Sequence, residues 1–201
     1  IQFGALKFGE FTLKSGRVSP YFFNAGVFST GAAMASLGAC YAEAAQDVME
    51  NVNGLFGPAY KGIPLATATG IALQKTYDQD VPITFDRKEA KAHGEGGILM
   101  GAPLQGNILI IDDVITAGTA IRHSVDLITS QGANPCGVVI GLDRCEQGVG
   151  ELSAVEEVSR GLGLTVKSVI TMHDIIDWLA DQPKAAESLS LMLRYRERYG
   201  V

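Results

Sequence analysis

Long apolar runs are missing from this chain. No stretch approaches the ~20 residues that a membrane-crossing helix needs, so nothing in it is expected to span a bilayer. The charged-then-apolar pattern of a secretion signal is also missing. The chain opens on Ile1 rather than Met, and residues before it are expected. Basic charge is scarce: 16 Lys and Arg stand against 22 Asp and Glu, a net charge of −6. With a pI near 5.0, this balance argues against a nucleic-acid-binding face. Cysteine is rare, and Cys40, Cys136 and Cys145 show no C-x-x-C spacing. They form neither a disulfide framework nor a zinc site, and read as ordinary thiols of a reducing cytoplasm. His123 and His173 have no metal-ligand partners at usable spacing and read as structural. There is no Gly-Lys dipeptide, hence no Walker A sequence, which excludes a P-loop kinase. No nucleophile arrangement of serine or cysteine with histidine can be argued from residue order. Repeats, linkers and low-complexity segments are absent as well. What is left is one acidic, soluble, cytoplasmic α/β domain of 201 residues, 47% hydrophobic and long enough to bury a core.

The stretch that organises the rest is Ile108 to Ala120, Ile-Leu-Ile-Ile-Asp-Asp-Val-Ile-Thr-Ala-Gly-Thr-Ala. The four aliphatics Ile108 to Ile111 predict a strand buried on both faces, as in a parallel sheet. Asp112 and Asp113 follow where that strand should end. Beyond a short Thr- and Gly-containing turn, Ile121, Val125 and Ile128 recur with helical spacing, and Gly132 is placed to cap the helix. A strand, a small-residue turn and a helix N-terminus make an anion site at the carboxyl edge of a sheet. Backbone N–H groups of Ala117 to Ala120, with the Thr116 and Thr119 hydroxyls, suit a phosphate. The two carboxylates beside them suit sugar hydroxyls or a metal bound to them. The competing reading is a plain strand-to-helix turn in which a paired Asp merely caps the helix.

Elsewhere Leu6 to Tyr21 reads as extended chain broken by turns, and Tyr21-Phe22-Phe23 as core packing. Gly31 to Glu50 reads as a helix with Leu37, Tyr41 and Ala45 on one side. Leu55-Phe56 predicts a short buried strand, and Gly57-Pro58-Ala59-Tyr60-Lys61-Gly62 a turn that fixes a lysine at its carboxyl end. A helix from Pro64 to about Tyr77 follows. Pro82 to Phe85 predicts another strand. The polar run Arg87, Lys88, Glu89, Lys91, His93, Gly94, Glu95, Gly96 and Gly97 then reads as a mobile loop, fit to act as a charged lid over a polyphosphate. Ile98 to Met100 and Gly137 to Leu142 predict strands, the second ending at Asp143-Arg144. Glu151 to Arg160 predicts a helix, Thr165 to Ile170 a strand, His173 to Ala180 a helix with Trp178 in the core, and Pro183 to Tyr199 a helical tail. Strands alternating with helices predict a mostly parallel, doubly wound sheet.

Four of these segments together carry a family resemblance. Leu13-Lys14-Ser15-Gly16-Arg17 with Ser19 to Asn24, then Gly57 to Gly62, then Arg87 to Gly97, and last Asp112 to Ala120 resemble the bacterial orotate phosphoribosyltransferases in order and over nearly the whole chain. The last segment alone looks like the phosphoribosyl pyrophosphate (PRPP) motif of all type I phosphoribosyltransferases. The resemblance implies the type I phosphoribosyltransferase fold: a mostly parallel twisted sheet flanked by helices, with a small N-terminal hood. It implies one domain over residues 1–201, the hood formed mainly by 1–30 and the lid by about 86–97. It implies transfer of ribose 5-phosphate from PRPP to orotate, giving orotidine 5′-monophosphate and pyrophosphate in pyrimidine (UMP) biosynthesis.

For PRPP the resemblance implies Lys14, Tyr60, Lys61, Arg87, Lys88, Lys91, His93, Asp112, Asp113 and the run Val114, Ile115, Thr116, Ala117, Gly118, Thr119 and Ala120. For orotate it implies Lys14, Phe22, Phe23, Thr116 and Arg144, the last also suited by its planar fork to a carboxylate. Lys91, Asp112 and Asp113 are the residues it implies for catalysis. Mg²⁺ is implied as cofactor, held mainly through PRPP, with Asp112 and Asp113 reaching it through water. A homodimer that shares its lid across subunits is implied too, with no nucleic acid and no membrane as partner. The chain departs from the family at Ala92, where an acidic residue is common, and at Asp86, where Asn or another residue is frequent; both bear on lid behaviour. The family's N-terminal helix before Leu6 is mostly absent.

Lys14, Lys61, Arg87, Lys88, Lys91 and Arg144 are six of the chain's 16 basic residues, concentrated in an otherwise acidic protein. A purine phosphoribosyltransferase would share the Ile108–Ala120 motif without needing Arg144 for a base carboxylate. A PRPP-sensing regulator would be expected to carry a DNA-binding helix pair or a basic face, and neither is present.

Overall fold

The computed structural model describes residues 1–13, 15–91, 97–148, 150 and 152–201, with the backbone alone at 88, 90 and 91. A six-stranded sheet forms the centre, in the order β5-β4-β3-β6-β7-β8. Its strands are β3 (Gly54–Gly57), β4 (Ile83–Lys91), β5 (Gly97–Gly101), β6 (Asn107–Val114), β7 (Asn134–Asp143) and β8 (Thr165–Thr171). All neighbours are parallel except the β4–β5 pair at one edge.

The aliphatic run in β6 explains the layering. Successive side chains of a strand point to opposite faces. Leu109 and Ile111 therefore pack with Leu37 and Tyr41 of α1 (Gly31–Ala45) and Leu65 and Leu73 of α2 (Gly62–Tyr77). Ile108 and Ile110 pack with Ile121 and Ile128 of α3 (Thr119–Ser130) and Val158 of α4 (Ala154–Leu162). A strand covered on both faces can be aliphatic throughout, and all four isoleucine and leucine side chains are within 2% of complete burial.

A third apolar cluster sits apart from those two. The antiparallel hairpin β1 (Leu6–Thr12) and β2 (Val18–Phe23) packs Leu6 and Tyr21 against Met172, Ile176, Met192 and Tyr195. The last four come from α5 (Met172–Ala180) and α6 (Ala186–Tyr199), with Leu142 at the end of β7 beneath them. The first and last segments of the chain thus build this layer jointly.

Several local expectations need adjusting. β6 continues through both aspartates to Val114, because Val114 still pairs with Leu142 in β7. β4 extends to Lys91, well past Phe85, because β5 supplies an antiparallel partner; Asp86 pairs with Leu99 and Lys91 with Gly97. Residues Arg87 to Lys91 are therefore strand, and only 92–96 of the expected lid lie outside the described residues. α1 ends at Ala45 and a 3-10 turn takes over at Gln46–Val48. α4 starts at Ala154, where Ser153 and Glu156 form a capping box. Trp178 is 41% exposed, not core: Ile175, Ile176 and Leu179 occupy the buried side of α5, and Trp178 falls outside their stripe. α3 ends as its sequence suggested. Gly132 has φ +78°, its N–H bonds Thr129 O at 2.9 Å, and Ala133 N–H bonds Ile128 O at 3.2 Å, a Schellman closure. No helix among the described residues is long and apolar enough to cross a membrane.

Candidate active site

Strand order locates the site before any side chain is considered. From β3 the chain winds outward through α2 to β4; from β6 it winds the opposite way through α3 to β7 and α4 to β8. The direction reverses between β3 and β6, and the carboxyl ends of those two strands open a crevice at such a switch point. The 58–61 turn and the 115–118 turn form its two sides.

The helices that begin there share one feature. α1, α4 and α5 have their N-termini closed by the hydroxyls of Thr30, Ser153 and Thr171. α2 and α3, both starting at the crevice, have no side-chain cap, and neither has α6. At α3 the first N–H groups therefore face the opening with the positive end of the helix dipole behind them, whereas the first of α2, Gly62 N–H, already bonds the Pro58 carbonyl at 2.9 Å. At α3 the N-cap is Gly118 in the left-handed region, φ +70°. A Cβ there would also collide with Val158, so glycine is required twice over. Val114, Ile115, Thr116, Gly118, Thr119, Ala120 and Ile121 enclose a cavity of about 230 Å³ at this turn. Thr116, Ala117, Thr119 and Ala120 are all exposed along its rim. A larger groove of about 670 Å³ runs along the outer side of α6 and involves none of these groups.

Asp112 and Asp113 lie beside that cavity, both buried. Their carboxylates are braced by the backbone: Asp113 N–H donates to Asp112 Oδ1 and Val114 N–H to Asp113 Oδ1, each at 2.9 Å. Tyr41 of α1 braces the pair from behind, donating its buried hydroxyl to the Asp112 carbonyl oxygen at 2.8 Å. Burial pushes the Asp112 carboxyl up to about 7, and the adjacent Asp113 charge adds to this. The same burial raises Tyr41 well above the ordinary phenol value.

Lys61, the N-cap of α2, reaches across the crevice and ion-pairs with Asp113 Oδ2, while remaining more than half exposed. Glycines allow the two sides to approach so closely. A Cβ on Gly57 would collide with the Gly62 carbonyl, and one on Gly62 would stand 2.8 Å from the Ile111 carbonyl oxygen. Tyr60 is exposed at the turn's tip. Asp86, buried within β4, accepts a hydrogen bond from Ala59 N–H and faces His123 Nε2 of α3 at 3.9 Å. The effect of Asp86 therefore falls on the turn that carries Lys61. Arg87 Nη1 is shielded from solvent and has no partner among the described residues, a costly state that an anion would relieve.

On the hairpin side, Phe22 and Phe23 are neighbours in β2 and point to opposite faces, while Arg144 lies against Tyr21 of the same strand. Phe22 is 40% exposed and stacks on Phe11 with centroids 5.5 Å apart. Phe23 is half-buried, its ring near Gly141 of β7. Arg144, expected to offer its fork to a ligand, already holds a carboxylate of its own chain. Its Nε and Nη2 approach Glu146 Oε1 at 2.7 and 2.6 Å, Nη2 donates to Ser19 Oγ at 2.9 Å, and the guanidinium lies 4.2 Å from the Tyr21 ring centroid. The Nε–Nη2 edge is therefore taken. Burial, acting first, raises the Tyr21 hydroxyl beneath it out of its ordinary range.

Of the remaining expected residues, Lys14 and His93 lie outside the described residues, and at Lys88 and Lys91 only the backbone is described. His123, read as structural, is exposed beside the crevice; His173 is exposed on α5. All three cysteines are free thiols. Glu146 escaped the sequence reading, Tyr41 was read there only as helix packing, and Asp86 only as a departure from the family that bears on the lid. Glu146 sits two residues beyond Arg144, which is the only local hint of its role.

No group of three or more His, Cys, Asp or Glu that could hold a metal stands among the described residues. The buried Asp112–Asp113 pair suits instead a divalent cation that brings its other oxygens with it, from phosphate and water.

No family model matches the chain. The chain is 57% identical over 196 residues to the orotate phosphoribosyltransferase of Yersinia pestis (strain Pestoides F), covering 98% of this chain and 91% of that protein. Among solved structures, the orotate phosphoribosyltransferase of Francisella tularensis superposes with a TM-score of 0.88 at 40% identity, over 100% of this chain and 96% of the other. That from Aeropyrum pernix gives 0.68 at 27% identity, over 89% and 94%.

Proposed function

The chain belongs to the orotate phosphoribosyltransferase family, and from that membership we propose how its crevice carries out the transfer of ribose 5-phosphate from PRPP to orotate. The single observation that carries the assignment of roles is the conjunction at the switch point: an uncapped α3 N-terminus, the 230 Å³ cavity in front of it, and the buried Asp112–Asp113 pair alongside. A dianionic phosphate seats at Thr116 to Ala120, where backbone N–H groups and two threonine hydroxyls meet it. Val114 and Ile115 shape the floor. The ribose hydroxyls then fall to Asp112 and Asp113.

The pyrophosphate end points to the other side of the crevice, toward Tyr60, Lys61 and Arg87. Lys61 is held by Asp113 in the free protein, so pyrophosphate recruits it as the ribose takes over that carboxylate. Asp112 and Asp113, together with the pyrophosphate oxygens, would hold Mg²⁺, and the ion would supply Lewis-acid neutralisation of phosphate oxygens. Bond cleavage at the anomeric carbon builds positive charge on the sugar and negative charge on the leaving group. Arg87 and Lys61, with Lys88, Lys91 and His93 of the lid, meet the latter. A lid over 86–97, crossing to the other subunit of a homodimer, would exclude water that could otherwise capture the sugar. Asp112 and Asp113, fixed by backbone N–H donors, orient the sugar without reorganising as charge develops.

Orotate falls to the hairpin side, where Phe22 and Phe23 supply contacts and Thr116, Arg144 and Lys14 the polar ones. The hood over residues 1–30 belongs to the same single domain, completed by α5 and α6 as the shared apolar cluster suggests. Free thiols throughout suit a reducing setting such as the cytoplasm. Pyrophosphate release from orotate and PRPP, measured with and without Mg²⁺, tests the activity and its cofactor. Release with purine bases but not with orotate would overturn the base assignment.

A further inference from the structure

Glu146 is placed where it controls the group expected to read the base. Its Oε1 takes Nε and Nη2 of Arg144, and its Oε2 takes Nη1 of Arg17 at 3.5 Å. The carboxylate is only 11% exposed, and the two arginine side chains 15% and 25%. Arg17 closes the turn between β1 and β2, its guanidinium 5.1 Å from the Tyr199 ring, and Leu13 N–H bonds the Arg17 carbonyl at 2.9 Å. One carboxylate therefore joins the hairpin turn to the end of β7.

Charge balance shows that the arrangement is incomplete by itself. Two guanidinium groups share one carboxylate, and no second acidic side chain pairs with either arginine among the described residues. A partly buried surplus cation is unfavourable unless an anion completes it. The Tyr21 ring beneath Arg144 and the Ser19 hydroxyl at its edge fix the guanidinium plane. A planar ring acid is the ligand such a plane would accept, because its carboxylate lies in the plane of its ring.

We propose that Glu146 is a positioning residue for base recognition: it locks the Nε–Nη2 edge of Arg144, so that the remaining donors are presented in a fixed plane, and through Arg17 it ties the hairpin turn to the same carboxylate. This rests on Arg144 contacting the orotate carboxylate. A salt bridge that served stability alone would be equally important with or without a base.

The test is steady-state kinetics of the full chain, wild type against Glu146→Ala, Glu146→Gln and Arg144→Ala, with KM determined separately for orotate and PRPP. Glu146→Ala should raise the orotate KM on the order of tenfold, the scale of losing one charged hydrogen-bond partner. The PRPP KM should stay within about twofold, as expected when only one substrate's binding is disturbed. Glu146→Gln keeps the shape and one acceptor, should restore part of the orotate affinity, and carries the test if the alanine variant fails to fold. An unchanged orotate KM in both Glu146 variants, while Arg144→Ala raises it, overturns the positioning role. So does an equal rise for both substrates. If Arg144→Ala itself leaves the orotate KM unchanged, the base-contact reading fails first and the inference falls with it.

Discussion

The Tyr41 hydroxyl donates to the Asp112 carbonyl oxygen at 2.8 Å, across 71 residues of sequence. It couples the middle of α1 to the strand end that carries both site carboxylates. Tyr41→Phe removes this bond and leaves a buried carbonyl short of a partner. A loss of about 1 kcal/mol in urea unfolding is expected, with PRPP affinity falling more than orotate affinity. Equal stability in variant and wild type would show that the bond is not needed to hold the strand end.

Asp112 should make the fold pH-dependent. In the unfolded chain its proton leaves near the ordinary 3.8, whereas in the folded chain it is held up to about 7. Between those values the native state carries more protons, so stability falls as pH rises through that window. Asp112→Asn removes this slope while its Oδ1 still accepts from Asp113 N–H. In metal-free buffer the variant's melting temperature should gain on wild type by roughly 3 °C or more between pH 5 and pH 8. Parallel melting curves at the two pH values would contradict the burial argument. Activity should fall in the same variant.

Asp86 holds the turn that presents Lys61, through its bond from Ala59 N–H. Asp86→Ala strands a backbone donor next to the crevice, at a cost on the order of 1–3 kcal/mol. It should raise the PRPP KM several-fold. Asp86→Asn keeps the acceptor and should stay near wild type. If the two variants behave alike, the carboxylate's charge matters and the hydrogen bond does not.

Lys91 closes β4, at the border of the expected lid. Lys91→Ala should lower kcat far more than it weakens PRPP binding, because a contact made as the lid closes is worth most in the transition state. Single-turnover rates alongside PRPP titration separate the two effects, and near-normal turnover would remove Lys91 from the catalytic group.

Much of the architecture was legible because periodicity and punctuation are local. Ile108 to Ile111 announced a strand buried on both faces, Gly132 a helix end, and Gly57 to Gly62 a tight turn, each from residues adjacent in the chain. Partnerships across the fold were not legible in this way. The extension of β4 to Lys91 required β5 alongside it, and a polar strand without a visible partner reads as loop. Trp178 looked like core by type, but helical phase set it outside the buried stripe. Arg144 was noticed for its fork, whereas Glu146, which occupies one edge of that fork, lies two residues on in an irregular bridge that has no periodicity to detect. The motif turn at Gly118 was found from sequence; that both helices starting at the crevice, α2 and α3, lack hydroxyl caps became visible only in the fold.

The end of the chain has a task that its distance from the crevice conceals. Gln147 N–H bonds the Tyr199 carbonyl at 2.8 Å, Val201 N–H bonds the Cys145 carbonyl at 3.1 Å, and the Tyr195 ring meets Tyr21 edge-on. The residues that close α6 are thus sewn to both flanks of Glu146, the carboxylate that holds Arg144. Breaking those two backbone bonds would register as weakened discrimination between bases before it registered as unfolding.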